Sequence, residues 1–177
     1  MIICYARKIL QKWGMINYMQ RSKTYYAKLG YAGYKWAHFT DVPFISLKLP
    51  IIESRLTLVT TAAPFLSSAG NQGPNAPYNA EAKFFAVTGI PLDPEPDLRI
   101  SHLSYDRTHC AANDRNTWLP INALRQLEKE NFIGELSEDI ICLPTNRSQR
   151  KTIEEDCPAV VRHCQRLGTD VALLVPT

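Results

Sequence analysis

The C-terminal part of the sequence carries the pattern that most restricts the fold. In "TIEEDCPAVVRHCQRLG", residues 152–168, apolar side chains recur at helical spacing and Gly168 closes the segment. The run "VALLV", residues 171–175, follows at once and is typical of a fully buried strand. Helix, glycine and apolar strand in succession are typical of a parallel sheet with flanking helices. We therefore predict an α/β fold with a mostly parallel sheet.

The remaining segments fit this prediction. Thr152 and Glu155 form a possible capping box at the start of the C-terminal helix, and Pro158 either sits early in that helix or marks its first turn. Further helices are predicted in 17–29, with Gly30 as the residue that ends the helix, and in 120–136, with Pro120 near its start. The sequence predicts strands in 55–62, 98–104 and 139–144, and a long loop rich in Pro, Gly, Asn and Ser over 63–97.

Composition excludes several classes of protein. The 20 Lys and Arg against 17 Asp and Glu give a net charge of +3, which argues against a nucleic-acid partner. No apolar run approaches the ~20 residues of a membrane span, and "MIICYARKIL" is a poor signal peptide. The five cysteines include no C-x-x-C pair, so we expect small buried thiols in a reducing, cytoplasmic protein rather than disulfides or a zinc ribbon.

Two polar loops follow predicted strands. Residues 101–120 contain His102, Asp106, His109 and Cys110, which suit a metal site of unusual spacing, an acid–base cluster, or a hydrogen-bonded loop that only shapes the fold. Residues 143–151 contain Asn146, Arg147 and Arg150, which could hold a carboxylate or form a solvated helix entrance. The aromatic stretch 30–44 either packs at the edge of a core or forms a face for another subunit.

Five stretches resemble one family in their order along the chain. They are "YYAKLGYAGYKWAHFTDVPF", "SRLTLVTTAAPF", "DLRISHLSYDRTH", "NTWLPINALRQLEKENFIGEL" and "LPTNRSQR". Together they resemble the selenoprotein B family of glycine, betaine, sarcosine and D-proline reductases, over residues 17–177. Residues 1–16 look unrelated, so we interpret them as a poorly ordered or mis-called N-terminal extension of an incomplete α/β reductase-type domain in 17–177.

The resemblance implies a redox function. Members of the family place a selenocysteine, or a cysteine, directly after the strand that resembles "VALLVPT", so the chain is expected to be incomplete at its C-terminus and to continue through a UGA codon. The implied reaction is reductive cleavage of a C–N bond in a small amino-acid-like substrate, with a thiol reductant and a second reductase subunit as expected partners. No metal and no cofactor are expected in this chain itself. The alternatives are a non-catalytic α/β scaffold subunit and a metal-dependent hydrolase.

Candidate site residues come from the strand ends and the polar loops. The loops after Thr60, His102 and Leu143 are predicted to converge with Thr177 at one edge of the sheet. Supporting catalytic roles are predicted for His102, Tyr105, Asp106 and Arg107. Substrate-binding roles are predicted for Thr60, Thr61, Asn146 and Arg147.

Overall fold

The computed structural model describes residues 18–32, 37–43, 45–66, 86–100, 114–146 and 148–177. The chain divides into two compact units, Met1–Pro43 and Phe44–Thr177. The predicted N-terminal extension, 1–16, lies outside the described residues and stays a prediction.

The described part of the first unit contains helix α1, Tyr18–Lys28. Gly30 ends this helix with a left-handed φ of +79°, as the sequence predicted. The amide of Gly30 donates to the carbonyl of Ala27 at 3.1 Å, and the amide of Tyr31 donates to the carbonyl of Tyr26 at 3.0 Å. These two bonds form a Schellman motif, which satisfies carbonyl groups that the end of a helix leaves without partners.

The described strands of the second unit are β1 Arg55–Thr60, β2 Phe65–Leu66, β3 Thr88–Pro91, β4 Leu98–Arg99, β5 Glu135–Leu136, β6 Asp139–Cys142 and β7 Val171–Val175. Five of them form a sheet around β1. Strands β5 and β6 pair in parallel with one edge of β1, and β7 pairs in parallel with its other edge. β3 pairs antiparallel with β6, whereas β2 and β4 form a separate antiparallel pair. The predicted α/β fold with a mostly parallel sheet is confirmed.

Helices cover both faces of this sheet. Helix α2, Ile121–Lys129, contributes to the larger core, where apolar side chains surround Leu56 and Leu58 of β1. The opposite face of β1 presents Val59, which packs in a smaller core with Leu167 of the C-terminal helix. Short 3₁₀ helices at Ile51–Glu53 and Arg115–Thr117 complete the described elements.

The C-terminal helix, α3, begins earlier than the sequence predicts. It comprises Gln149–Lys151, a π-helical turn at Thr152–Asp156 and an α-helical part, Cys157–Leu167. The side chain of Ser148 caps its start by accepting a hydrogen bond from the amide of Lys151 at 3.2 Å. The predicted capping box is therefore wrong, since Thr152 has helical dihedral angles within the helix. Gly168 ends α3 with a φ of +64°, as predicted.

Four strands also differ from the sequence prediction. β7 is not fully buried: its residues alternate between half-buried and exposed, and Leu174 is 66% exposed. Among the described residues β7 pairs with β1 alone, so it lies at an edge of the sheet. β2 and β3, in contrast, lie within the stretch predicted to be a long loop. The helix predicted in 120–136 ends at Lys129, and β5 occupies the last two residues of that stretch.

Candidate functional site

The carboxyl ends of β1, β6 and β7 lie together at one end of the sheet, here called the carboxyl edge. Thr60 is the register partner of Cys142 on one side and of Val175 on the other. The pairing extends one residue further, because Leu143 N donates to Thr60 O at 2.9 Å and Thr61 N donates to Val175 O at 3.2 Å. The predicted convergence is therefore confirmed for the segments that follow Thr60, Cys142 and Val175, whereas the predicted loop at His102 lies outside the described residues. Open α/β sheets bind ligands at this position.

Thr61 connects the end of β1 to the residues that follow β7. Its half-buried Oγ1 accepts a hydrogen bond from the backbone N of Thr177 at 2.9 Å, and the two threonine hydroxyl oxygens lie 3.4 Å apart. The hydroxyl predicted to contact substrate thus fixes the backbone of Thr177. Its role toward a substrate stays a prediction.

Thr60 supports the same carboxyl edge through buried hydrogen bonds. Its side chain is fully buried, and its Oγ1 donates to the carbonyl of Trp118 at 2.9 Å. The same oxygen accepts a hydrogen bond from the amide of Ala62 at 3.2 Å. These two bonds join β1 to the turn that follows it and to the segment before α2. The substrate contact predicted for Thr60 stays a prediction, whereas its support of the turn is visible.

Asn146 lies in the loop between β6 and α3, and both ends of its amide are engaged. Its Oδ1 accepts from the backbone N of Ser148 at 2.8 Å, and its Nδ2 donates to a carboxylate oxygen of Asp156. Asp156 is 4% exposed and ends the π-helical turn. Cys157 alone separates this turn from Pro158, which has no N–H to continue the helical hydrogen bonds.

Sequence reasoning missed Asp156. The usable signal is Pro158, because a proline inside a helical pattern indicates that the backbone of the preceding turn departs from regular geometry. A polar side chain in such a turn can be directed toward a neighbouring loop. Asn146 is thereby oriented by a buried carboxylate, and any ligand that Asn146 binds would meet an amide of fixed orientation.

The remaining predicted site residues lie outside the described part of the chain. They are His102, Tyr105, Asp106, Arg107 and Arg147. The metal-site, acid–base and purely structural interpretations of residues 101–113 therefore all stay open. Among the residues that the structure does describe, no group of three or more His, Cys, Asp and Glu side chains is arranged to hold a metal ion.

A cleft of about 270 Å³, here called the edge cleft, opens beside the ends of β1 and β6. Ala63, on its wall, has a left-handed φ of +47° and directly precedes Pro64. That conformation is unfavourable for a residue with a side chain, and strain of this kind costs about 1–3 kcal/mol. The cleft is lined by Ala63, Pro64, Ala86, Thr88, Cys142, Leu143 and Pro144.

The described cysteines are free thiols in three different environments. Cys142 lines the edge cleft but is buried, and burial raises the pKa of its thiol, so it stays protonated and a poor nucleophile. Cys164, on α3, is partly buried against the smaller core, whereas Cys157 is exposed. The expectation of small buried thiols is therefore wrong for Cys157.

A second cleft of about 470 Å³, here called the α3 cleft, runs between α3 and the residues that lead into β3. Side chains of both charges line it, and Ala159 leaves space at its centre. Its lining residues are Ala86, Val87, Lys151, Glu155, Asp156, Ala159, Arg162, His163 and Arg166.

The comparisons with known proteins give no further guide to the site. The chain matches no protein-family description, no curated protein and no solved structure. None of the helices described in the structure combines the length and apolar character needed to cross a membrane.

Proposed function

We propose that this chain forms the α/β body of a cytoplasmic selenol- or thiol-dependent reductase subunit. The proposed substrate is a small amino-acid-like molecule, and the proposed reductant is a dithiol. In the reaction, the C–N bond α to the carboxylate breaks, the carbon gains hydrogen and the nitrogen leaves as an amine. The dithiol supplies the two electrons and both hydrogens and becomes a disulfide. A second reductase subunit is the proposed protein partner.

The geometry after β7 is the observation that supports this proposal best. The resemblance to the selenoprotein B family implies that the redox residue directly follows the position of Thr177. The backbone N of Thr177 is held by Thr61 at 2.9 Å, at the edge where β1, β6 and β7 end. A nucleophile attached there would stand beside the loops that follow three parallel strands, which is the usual place for chemistry in an open α/β sheet.

The thiols that the structure describes also bear on the proposal. Cys142 is buried, and its raised pKa makes it a poor nucleophile at neutral pH. A redox residue at the carboxyl edge would be partly exposed, which favours the ionised selenol or thiol. The nucleophile is therefore proposed to be a residue that follows position 177.

A non-catalytic scaffold subunit is the second candidate. One observation favours it: the described residues between 19 and 52 expose many large apolar side chains. Tyr31 is 65% exposed and Phe39 is 68% exposed. Exposed aromatic side chains are enriched at protein interfaces, which suits docking of a second subunit.

The first experiment is to read the DNA that follows the Thr177 codon. A UGA codon with an in-frame cysteine codon shortly after it would support the reductase proposal. A UAA or UAG codon would refute it and leave the scaffold as the better candidate.

The second experiment tests the chemistry. The reading frame is extended with cysteine at the first new position, and a matched chain carries serine there. Release of amine from small N-substituted acids is measured with dithiothreitol as reductant. Activity with cysteine and none with serine would support the proposal, whereas equal release by both chains would contradict it.

A further inference from the structure

The α3 cleft has an arrangement of charge that the proposed reductase does not use. Lys151, Glu155, Ala159, Arg162 and Arg166 are spaced four, four, three and four residues apart, so they lie along one face of α3. Three of these five residues are cations, and His163 lines the same cleft. A stripe of cations beside a cavity is an arrangement that can attract anions.

The two ends of the cleft differ in charge. Glu155 and Asp156 lie at the N-terminal end, where Lys151 forms a loose ion pair with Glu155 at 3.9 Å. Arg162 and His163 lie about 9 Å further along the helix axis from Asp156, at 1.5 Å per residue. The acidic side chains are thus concentrated at one end, and the other end is basic.

Arg166 forms a fixed wall at the basic end. Its guanidinium donates to Asp139 at 2.5 Å and lies 3.7 Å from Glu138, so its charge is already balanced. Arg162, one turn earlier, forms no hydrogen bond or ion pair with any residue that the structure describes. It is therefore the cation at this end that a ligand could engage without breaking an existing pair.

His163 completes the basic end. Its Nδ1 is buried and has no hydrogen-bond partner among the described residues. A Cβ placed on Gly89 would lie 3.4 Å from this nitrogen and 2.9 Å from Oδ2 of Asp139, so the ring rests against β3 where that strand has no side chain. Arg162 and His163 both line the cleft, so a ligand there lies beside both side chains.

We propose that the α3 cleft binds a small molecule through an oxyanion group, carboxylate or phosphoryl, held between Arg162 and His163. Arg offers a planar pair of donors that matches either group, and the imidazole adds a third donor. The volume of about 470 Å³ exceeds what the oxyanion itself needs, so the rest of a small ligand fits along Ala159 toward the acidic end. This proposal does not depend on the reductase proposal.

The test measures binding to the full 177-residue chain. Histidine side chains are labelled with ¹⁵N, and the His163 signals are assigned from the spectrum of His163→Gln. Inorganic phosphate and acetate are titrated separately, with chloride as the reference at equal ionic strength. We expect a saturable shift of the His163 signals with at least one of the two anions. Phosphate alone would indicate a phosphoryl ligand, acetate alone a carboxylate, and both a site for either group.

Variants distinguish a built site from general attraction of anions. Arg162→Ala should weaken binding by roughly tenfold, the effect of losing one good charge-assisted contact. Arg162→Lys should fall between this variant and the native chain, because the charge remains but the paired donors are lost. Arg150→Ala is the matched control. Arg150 lies on the same helix but does not line the cleft; it is 74% exposed and pairs with Glu154, which matches the solvated helix entrance rather than a carboxylate site.

Two results would overturn the proposal. One is the absence of a saturable His163 shift with either anion. The other is equal weakening by Arg150→Ala and Arg162→Ala, which would show that only the overall charge of α3 matters. Circular dichroism of each variant verifies that α3 is still formed, and Arg162→Lys keeps the test informative if Arg162→Ala is less stable.

Discussion

Replacing Thr60 by valine should destabilise the fold, although valine has nearly the same shape and is more apolar. Thr60 is fully buried, and its Oγ1 joins the carbonyl of Trp118 at 2.9 Å to the amide of Ala62 at 3.2 Å. Removing the hydroxyl deletes both bonds inside the protein, where a polar group deprived of its partner costs about 1–3 kcal/mol. The added methyl group regains about 0.8 kcal/mol of hydrophobic transfer energy. Two backbone groups lose this partner, so the net loss should be about 1–5 kcal/mol.

The assay is urea unfolding followed by tryptophan fluorescence, because Trp118 is buried beside the substitution. Thr60→Ser is the matched control: it keeps the hydroxyl and loses only a methyl group, so we expect a cost of about 1 kcal/mol. Thr61→Val should change stability less, since its hydroxyl bonds to Thr177 at the partly exposed edge. If Thr60→Val were as stable as the native chain, the hydroxyl would not support this turn and the reasoning would be refuted.

Three further predictions concern other positions in the same unit. Gly134→Ala should destabilise by about 1–3 kcal/mol or more in urea unfolding, because its Cβ would lie 2.5 Å from the backbone oxygen of Ser54, which cannot move aside cheaply; an unchanged midpoint would contradict this. Burial raises the pKa of Cys142, so above the ordinary thiol pKa of about 8.5 the unfolded state releases this proton and the folded state keeps it. The free energy of unfolding should therefore fall with rising pH in that range, by up to about 1.4 kcal/mol per pH unit. This contribution to the pH dependence of stability should be absent in Cys142→Ala. In the native chain, iodoacetamide should label the exposed Cys157 and leave the buried Cys142 unlabelled. Leu174 is 66% exposed on an edge strand, so Leu174→Lys should reduce self-association measured by light scattering. The same substitution should change the free energy of unfolding by no more than about 0.5 kcal/mol, and a large loss would mean that this side chain is needed for packing.

Segments whose pattern repeats over several turns or residues could be predicted from the sequence. β1 is a run of β-branched and apolar residues that pairs on both edges and is buried, so local propensity and tertiary position agree. The ends of α1 and α3 were also predictable, because Gly30 and Gly168 adopt the left-handed conformation that glycine favours. In each case the local sequence is sufficient to predict the element without knowledge of its tertiary contacts.

Other features depend on partners that are distant in sequence. β3 contains Gly89 and Pro91, both unfavourable in strands, and is formed by antiparallel pairing with β6 some fifty residues away. The burial of β7 cannot be read from "VALLV", because an apolar run does not reveal whether both of its faces are covered. Asp156 could not be assigned a role, since its partner Asn146 lies ten residues earlier, in the loop before the helix.

The predicted carboxyl edge and the α3 cleft are connected through Asn146 and Asp156. Asn146 follows β6 at the carboxyl edge, and Asp156, its hydrogen-bond partner, lines the acidic end of the α3 cleft. Asp156 is almost fully buried, so a change that breaks this bond would leave a carboxylate without its amide donor, at a cost of about 1–3 kcal/mol or more. This hydrogen bond therefore joins the loop after β6 to the helix that forms the α3 cleft.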